Sequence, residues 1–208
     1  MKTKKQTIWN TQTLVTTGML AAIAGVLMTL EFPVPLMPPF YKLDFGEIPS
    51  IIALFLLGPI PAACVEVIKI LIKIITIGTS SMYVGDLSNL VSVLVYIAPL
   101  WFFYRTFGKS GRGLILSMIA SIVVRTAFAC ALNVFVTLPM YAGAMGISLD
   151  DIVAMVTAVN PAIQSLNSFV LLGTIPFNIL KLGLNYAAGY LIYSQLKAAA
   201  PSIRFKSV

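Results

Sequence analysis

Long apolar runs fill most of the chain, and short polar or proline-rich segments separate them. A helix needs about 20 apolar residues to cross a hydrocarbon core of about 30 Å, and most of these runs approach or exceed that length. The pattern therefore predicts an all-α integral membrane protein with a single domain over residues 1–208. Its six predicted transmembrane helices cover residues 11–30, 47–58, 61–77, 87–105, 113–138 and 166–196.

Proline and glycine mark the borders of several runs. Gly58, Pro59 and Pro61 end the second predicted helix and start the third. Residues 139–164 are predicted to form a long connection with a weakly apolar middle. Pro176 lies inside the last run, where its missing backbone donor predicts a bend in the helix.

The composition agrees with a membrane location. Hydrophobic residues make up 59% of the chain and charged residues 10%, with a mean hydropathy of +0.95. Soluble domains have about 45–50% apolar and about 25% charged residues. Six spans leave no room for a soluble catalytic domain, so any energy from nucleotide hydrolysis has to come from partner chains.

The positions of the basic residues predict the orientation. The chain has 14 Lys and Arg against 7 Asp and Glu, and cationic residues are enriched in cytoplasmic loops. With both termini placed in the cytoplasm, the outer connections hold one basic residue, Lys42. The inner segments then hold nine: Lys2, Lys4, Lys5, Arg105, Lys109, Arg112, Lys197, Arg204 and Lys206. This distribution predicts a multi-pass protein of the cell membrane with cytoplasmic N- and C-termini.

Charged and amide side chains also lie inside the predicted spans. Inserting a charged residue at the centre of a membrane helix costs about 2.5–3.5 kcal/mol of free energy. Glu66 and Lys69 share one helix face with Lys73, and Asn178 shares a face with Lys181. These side chains either stabilise contacts between helices or line a cavity for a polar solute. The predicted spans contain four cations and one acid, so these cations cannot all form ion pairs within the spans. This imbalance favours the cavity for Asn178 and Lys181. Lys73 is equally compatible with snorkelling towards the membrane surface.

The segment 40–47 combines aromatic side chains with charged ones just before a predicted helix. Aromatic faces with hydrogen-bonding groups suit a flat heteroaromatic ligand. Interfacial aromatic residues are also typical of a membrane-surface belt, and Asp44 or Glu47 can cap the helix that follows. Taken alone, the segment favours the belt and the cap.

Catalytic and metal-binding signals are weak. The sequence has no histidine, and Cys64 and Cys130 lie far apart in apolar runs. Asp150 and Asp151 are adjacent, so on a helix their side chains point about 100° apart. The sequence therefore predicts a protein that is not an enzyme, with no metal site and no cofactor.

Five segments resemble the substrate-binding S components of energy-coupling factor (ECF) vitamin transporters, specifically those of the riboflavin type. They are Lys42–Pro49, Leu57–Pro59, Glu66–Lys69, Val84–Asn89 and Ile175–Lys181. The resemblance implies a six-helix protein that holds riboflavin near its extracellular face as a transport substrate. It also implies assembly with a transmembrane coupling subunit and two cytoplasmic ATPase subunits.

The resemblance also implies roles for individual residues. Leu43 and Asp44 would contact the ring end of the flavin, and Asn178 and Lys181 would form hydrogen bonds with the ligand. Asn89 and Asn133 are further candidates because of their positions within their helices. Small residues four apart on the first helix let a second helix approach closely, which is more often a helix of the same chain than one of a partner. The resemblance implies that they dock the coupling subunit. These partner-docking candidates are Gly18, Ala21, Ala22 and Gly25.

Three alternatives remain open from the sequence. Flavin mononucleotide is a possible preferred ligand, because a phosphate would be attracted by Lys42, Lys73 or Lys181. A stand-alone ion-coupled transporter would use Glu66 as its ion site. A membrane enzyme with Asp150 and Asp151 as a metal pair is the least supported of the three.

Overall fold

The computed structural model describes residues 9–37, 40–79, 82–107 and 110–199, and these segments are almost entirely helical. A two-stranded antiparallel hairpin, β1 (Phe32–Pro33) and β2 (Lys42–Leu43), follows the first helix. The helices are α1 (Thr11–Thr29), α2 (Ile48–Leu57), α3 (Pro59–Ile77), α4 (Val84–Phe107), α5 (Gly111–Leu132), α6 (Leu138–Met145), α7 (Leu149–Val159), α8 (Leu166–Phe169) and α9 (Ile175–Ala199).

Four continuous helical stretches are long and apolar enough to cross a membrane: Thr11–Thr29, Val84–Phe107, Gly111–Met145 and Leu166–Ala199. Helix α2 is apolar but has 10 residues, so at about 1.5 Å per residue it is roughly 15 Å long. Helix α3 has 19 residues and carries three buried charged side chains, Glu66, Lys69 and Lys73. The predicted class, an all-α membrane protein, is confirmed.

The predicted and observed helices differ most in the second half of the chain. The fifth predicted span ends at residue 138, whereas the observed helix continues through α6 to Met145. The predicted connection 139–164 contains α7. This helix starts at Ser148, whose hydroxyl accepts a hydrogen bond from the Asp151 backbone while the Asp151 carboxylate accepts one from the Ser148 backbone.

Two π-helical turns, Asn133–Thr137 and Val170–Thr174, join α5 to α6 and α8 to α9. Each ends in a hydrogen bond that spans five residues, from the Leu138 and Ile175 amides respectively. A proline follows shortly after each turn, at positions 139 and 176. Proline lacks the N–H group and its ring clashes with the carbonyl four residues earlier, so a wider turn accommodates it. The sequence predicts a bend near Pro176, and the structure has the π-helical turn Val170–Thr174 just before this residue.

Helix α2 is the central helix of the bundle and packs against α1, α3 and α9. All of its residues except Leu56 are buried. Gly58 connects α2 to α3 with a φ of 101°, a conformation that residues with a side chain rarely adopt. Helix α1 packs against α3, and α4 packs against α5.

The small residues of α1 form two registers with a spacing of four, Gly18 with Ala22 and Ala21 with Gly25, and these registers face in different directions. Ala21 is fully buried, and a Cβ added at Gly25 would lie 2.6 Å from Ile72 of α3. Gly18 and Ala22 are exposed. The expectation that all four residues dock a partner is therefore corrected, because Ala21 and Gly25 serve the contact between α1 and α3.

Candidate ligand-binding site

A cavity of about 390 Å³ lies at the end of the bundle where α1 and α3 end and α4 begins. Its volume falls within the range of about 300–1,000 Å³ that is common for small-molecule sites. The β-hairpin segment, α4, α5, the turn 133–137, α7 and the start of α9 all contribute side chains to its wall. Polar and apolar groups lie on different parts of that wall.

Aromatic side chains form one part of the wall. The Tyr41 and Phe177 rings are nearly parallel, with centroids 4.5 Å apart and an interplanar angle of 13°. The Phe40 and Tyr141 rings are 5.3 Å apart at 30°. The Tyr41 hydroxyl lies 2.8 Å from the Thr174 hydroxyl. Burial raises the pKa of Tyr41 well above its usual value, so the phenol stays neutral. A planar apolar ligand would find a rigid surface here.

Four charged side chains form what we call the inner charge cluster: Asp44, Glu47, Arg125 and Lys181. Arg125 donates two hydrogen bonds to Glu47, at 2.5 and 2.8 Å. Lys181 Nζ donates to Asp44 Oδ2 at 2.7 Å and lies 3.8 Å from Glu47 Oε1. All four residues are buried, and their formal charges sum to zero. The buried cations therefore have carboxylate partners, as low-dielectric surroundings require.

The outer charge cluster consists of Glu31, Lys42, Lys73 and Asp86. Lys42 donates to Glu31 at 2.6 Å, and Lys73 donates to Asp86 at 2.7 Å. Lys73 Nζ also lies 3.6 Å from Glu31. The cluster connects the hairpin segment to α3 and α4, and its four formal charges also sum to zero. Lys73 is buried, so it does not snorkel towards the membrane surface.

The predicted spans contain four cations and one acid, and the structure pairs each of these cations with a carboxylate. The partners of Arg125 and Lys181 come from the segment before α2, and the partner of Lys73 is in the first turn of α4. Only the pairing of Glu66 with Lys69, three residues apart, was visible in the sequence, and it is confirmed.

Amide groups add hydrogen-bonding capacity to the cavity wall. Asn178 Nδ2 donates to the Thr174 carbonyl at 2.8 Å, while its own carbonyl oxygen accepts no hydrogen bond from a described residue. Asn133 Nδ2 donates to the Ala129 carbonyl at 2.9 Å, and its Oδ1 lies 3.3 Å from the Tyr41 hydroxyl. The Asn89 amide forms no hydrogen bond with the described part of the chain. Asn178 and Asn89 thus keep donors or acceptors for a solute.

The structure brings most of the predicted site residues together. Asp44, Asn89, Asn133, Asn178 and Lys181 all line the cavity.

Leu43 is the exception among the predicted contacts. It is buried in β2, pairs with Phe32, and is not among the residues of the cavity wall. Alternation along a strand explains the difference, because neighbouring side chains point to opposite faces and Asp44 takes the face towards the cavity.

Glu47 has a different role from the helix cap that its position suggested. It occupies the N-cap position of α2, but its side chain accepts no capping hydrogen bond. Its carboxylate pairs with Arg125 instead. Asp44 also leaves the helix uncapped and accepts a hydrogen bond from the Gly46 amide at 2.9 Å.

Sequence reasoning missed Asn185, which is fully buried. Its Nδ2 donates to the Asp44 backbone carbonyl at 3.0 Å and to the Lys181 carbonyl at 2.9 Å. Asn185 lies seven residues after Asn178, so helical periodicity places both on one face of α9, and this spacing was the available signal. The residue positions Asp44 from behind the cavity wall.

Comparisons with known proteins agree over nearly the whole chain. Residues 12–193 match the family described as ECF transporter, substrate-specific component. The riboflavin transporter FmnP of Bacillus subtilis (strain 168) is 32% identical over 171 residues, which are 81% of this chain and 83% of that protein. The riboflavin transporter RibU of Staphylococcus aureus (strain TCH60) is 32% identical over 179 residues, 86% of each chain.

A solved structure of the S component of a bacterial ECF transporter has the same fold. Its TM-score is 0.70 at 28% identity, and the match covers 90% of this chain and 96% of that chain. All the residues that line the cavity fall within the range 12–193 that the family match covers.

Proposed function

The chain belongs to the substrate-specific components of ECF transporters, and from this membership we propose that it captures riboflavin for an ATP-driven importer. As a transporter component of the cell membrane, it is not an enzyme. One observation carries the proposal: a single cavity combines a stacked aromatic wall with buried amide and charged groups. Riboflavin needs both surfaces, since its ring system is flat and partly apolar while its edge and its ribityl chain form hydrogen bonds.

The proposed ligand contacts follow from the chemistry of the wall. The fused rings would lie near Tyr41 and Phe177, whose parallel faces suit stacking. Asp44, Lys181 and the free carbonyl of Asn178 would meet the polar edge of the rings. Asn89 would meet the hydroxyl groups of the ribityl chain, and Asn133 would hold Tyr41 in place.

We propose six membrane crossings, with α2 and α3 as the second and third, and with cytoplasmic termini. The charges of α3 are all buried and paired, which removes the main objection to a membrane location for this helix. Arg105 and Lys197 are in the last turns of α4 and α9, at the helix ends away from the cavity, and support this orientation. The cavity would then open on the extracellular side.

We also propose that the partners are a transmembrane coupling subunit and two cytoplasmic ATPase subunits. The exposed register of α1, Gly18 and Ala22, is the better candidate for docking the coupling subunit. Its open surface would allow close approach of another helix.

The ion-coupled alternative receives no support from the cavity. Glu66 is fully buried, is absent from the cavity wall and pairs with Lys69. An ion site for transport would need a path to solvent.

The test is a riboflavin titration of the purified full chain in detergent, followed by flavin fluorescence quenching and by the visible absorption of bound flavin. The parent protein should bind riboflavin. N178A should weaken binding about tenfold or more, because a ligand group would lose its amide partner, an effect of about 1.5 kcal/mol. Q195A, which removes an exposed amide farther along α9, is the matched control and should bind like the parent.

A second pair of variants tests the inner charge cluster. K181A should abolish measurable binding, since it removes a ligand partner and leaves Asp44 without its cation. K197A, in the exposed last turn of α9, is its control. Unchanged affinity in both N178A and K181A, with both variants folded, would overturn the site. No flavin binding by the folded parent would overturn the function.

A further inference from the structure

The first turns of α4 contribute polar side chains to the cavity wall. Ser88, Asn89 and Ser92 line the cavity on α4, and Asp86 and Lys73 of the outer charge cluster lie beside them. If the proposed function is correct, the apolar rings face the aromatic wall and the ribityl hydroxyls face α4. The end of the ribityl chain then approaches the outer charge cluster. Flavins differ at this end, because it carries either a hydroxyl or a phosphate.

The charges near this end are balanced. Lys73 is 2.7 Å from Asp86 and 3.6 Å from Glu31, and Lys42 is 2.6 Å from Glu31. A phosphate site normally presents uncompensated cations or backbone donors to an anion. Here both ammonium groups already have carboxylate partners. A phosphate would have to displace Asp86 or Glu31 and would leave a carboxylate next to its own negative charges.

We propose that the outer charge cluster, through Asp86 and Glu31, selects uncharged flavins over phosphorylated ones. The carboxylates neutralise Lys73 and Lys42 and repel a phosphate. A terminal hydroxyl meets no such repulsion. Asp86 Oδ2 is buried and accepts no hydrogen bond from a described residue, while Asp86 Oδ1 pairs with Lys73 at 2.7 Å.

A purely structural role for the cluster makes a different prediction. The ion pairs connect the hairpin segment to α3 and α4, so their removal would weaken binding of every flavin equally. Selectivity instead requires that neutralising one carboxylate raises the affinity for the phosphorylated ligand relative to that for the neutral ligand.

The decisive experiment compares D86N with the parent, using the full chain in detergent and fluorescence titrations with riboflavin and with flavin mononucleotide. Neutralising Asp86 leaves the cluster with one excess positive charge. Flavin mononucleotide should then bind about tenfold more tightly than it binds to the parent, and its affinity should rise relative to that of riboflavin. The gain for flavin mononucleotide should shrink as salt is raised.

D150N is the matched control, because it removes the same charge from α7 at a residue that does not line the cavity. Both flavins should bind to it as they bind to the parent. E31Q provides an independent variant if D86N fails to fold, since Glu31 is less buried than Asp86. It should shift the preference in the same direction by a smaller factor.

Two results would overturn the proposal: unchanged affinity for flavin mononucleotide in both folded variants, or an equal loss of affinity for both flavins. A parent protein that binds riboflavin would in either case leave the proposed function intact. Failure of the parent to bind any flavin would overturn the proposed function itself.

Discussion

Two regions of the bundle bury charged groups in different ways. In the bundle core, Glu66 pairs with Lys69 and with the Ser50 hydroxyl, which lies 2.8 Å from the Tyr96 hydroxyl. All four residues are fully buried, and none lines the cavity. In the inner charge cluster, Asp44 and Lys181 also form an ion pair, but they lie beside a void of about 390 Å³.

The difference teaches that a buried intramembrane charge is not by itself evidence of a binding site. Both regions compensate their charges, because an unpaired charge is costly in low-dielectric surroundings. What distinguishes the cavity region is open volume next to groups with spare hydrogen-bonding capacity, such as Asn178. Tyr96 connects the two regions, because the Arg125 guanidinium lies over its ring at 5.0 Å from the centroid.

The largest expected effect comes from breaking the core pair. E66Q leaves the Lys69 ammonium buried without its carboxylate, which should cost about 3–5 kcal/mol of unfolding free energy. Thermal unfolding in detergent measures the loss. The folded fraction should bind riboflavin within about threefold of the parent affinity. A stable E66Q protein with strongly weakened binding would show that the core pair belongs to the site. The double variant E66Q/K69M should recover part of the lost stability.

The two registers of α1 provide the same contrast between packing and open surface. G25L places a side chain against Ile72 and should cost about 1–3 kcal/mol of stability. G18L is the matched variant, because a Cβ at Gly18 meets nothing within 4 Å. It should leave thermal stability unchanged and reduce co-purification with the proposed coupling subunit. Equal destabilisation by both variants would contradict the assignment of the registers.

A smaller effect is expected at the aromatic wall. Y41F keeps the ring stack with Phe177 and removes the hydroxyl that lies 2.8 Å from the buried Thr174 hydroxyl. The hydroxyl holds the Tyr41 ring in position for the ligand, so its loss should weaken the affinity for riboflavin in a fluorescence titration. The expected factor is roughly two- to tenfold at most, because one hydrogen bond contributes about 0.5–1.5 kcal/mol. Y83F changes an exposed tyrosine and is the control. If Y41F binds riboflavin with the parent affinity, the Tyr41 hydroxyl does not contribute to the site.

The smallest effect concerns the exposed N-terminus of α7, which lies outside the bundle core and the inner charge cluster. Hydrogen bonds from the Ser148 hydroxyl and backbone lower the pKa of Asp151. The pKa is lower in the folded state, so the stabilisation is present above the ordinary aspartate pKa of about 3.9 and disappears as the pH falls through the folded value. Amide hydrogen exchange in α7 should be faster in D151N than in the parent at pH 7. The difference should vanish in acid, and a difference that persists there would contradict the capping role.

Several features of the site could be predicted because they depend on local spacing. Helical periodicity places Asn178 and Lys181 on one face of α9, and both line the cavity. The same rule predicts the contact between Glu66 and Lys69. The motif resemblance led to Asp44, Asn89 and Asn133, which also line the cavity. The ion-pair partners were not predictable in this way, because Arg125 and Glu47 are 78 residues apart and Lys181 and Asp44 are 137 apart.

The amino-acid sequence by itself determined the all-α membrane class, the approximate positions of the long apolar helices and the polar faces of single helices, since hydropathy and helical periodicity act over one or two turns. Only the tertiary structure decided which acids neutralise the buried cations and which register of α1 faces inward. It also decided that α7 covers one side of the cavity. These features depend on contacts between segments distant in the chain, where no local spacing rule applies and packing and charge compensation select the partners.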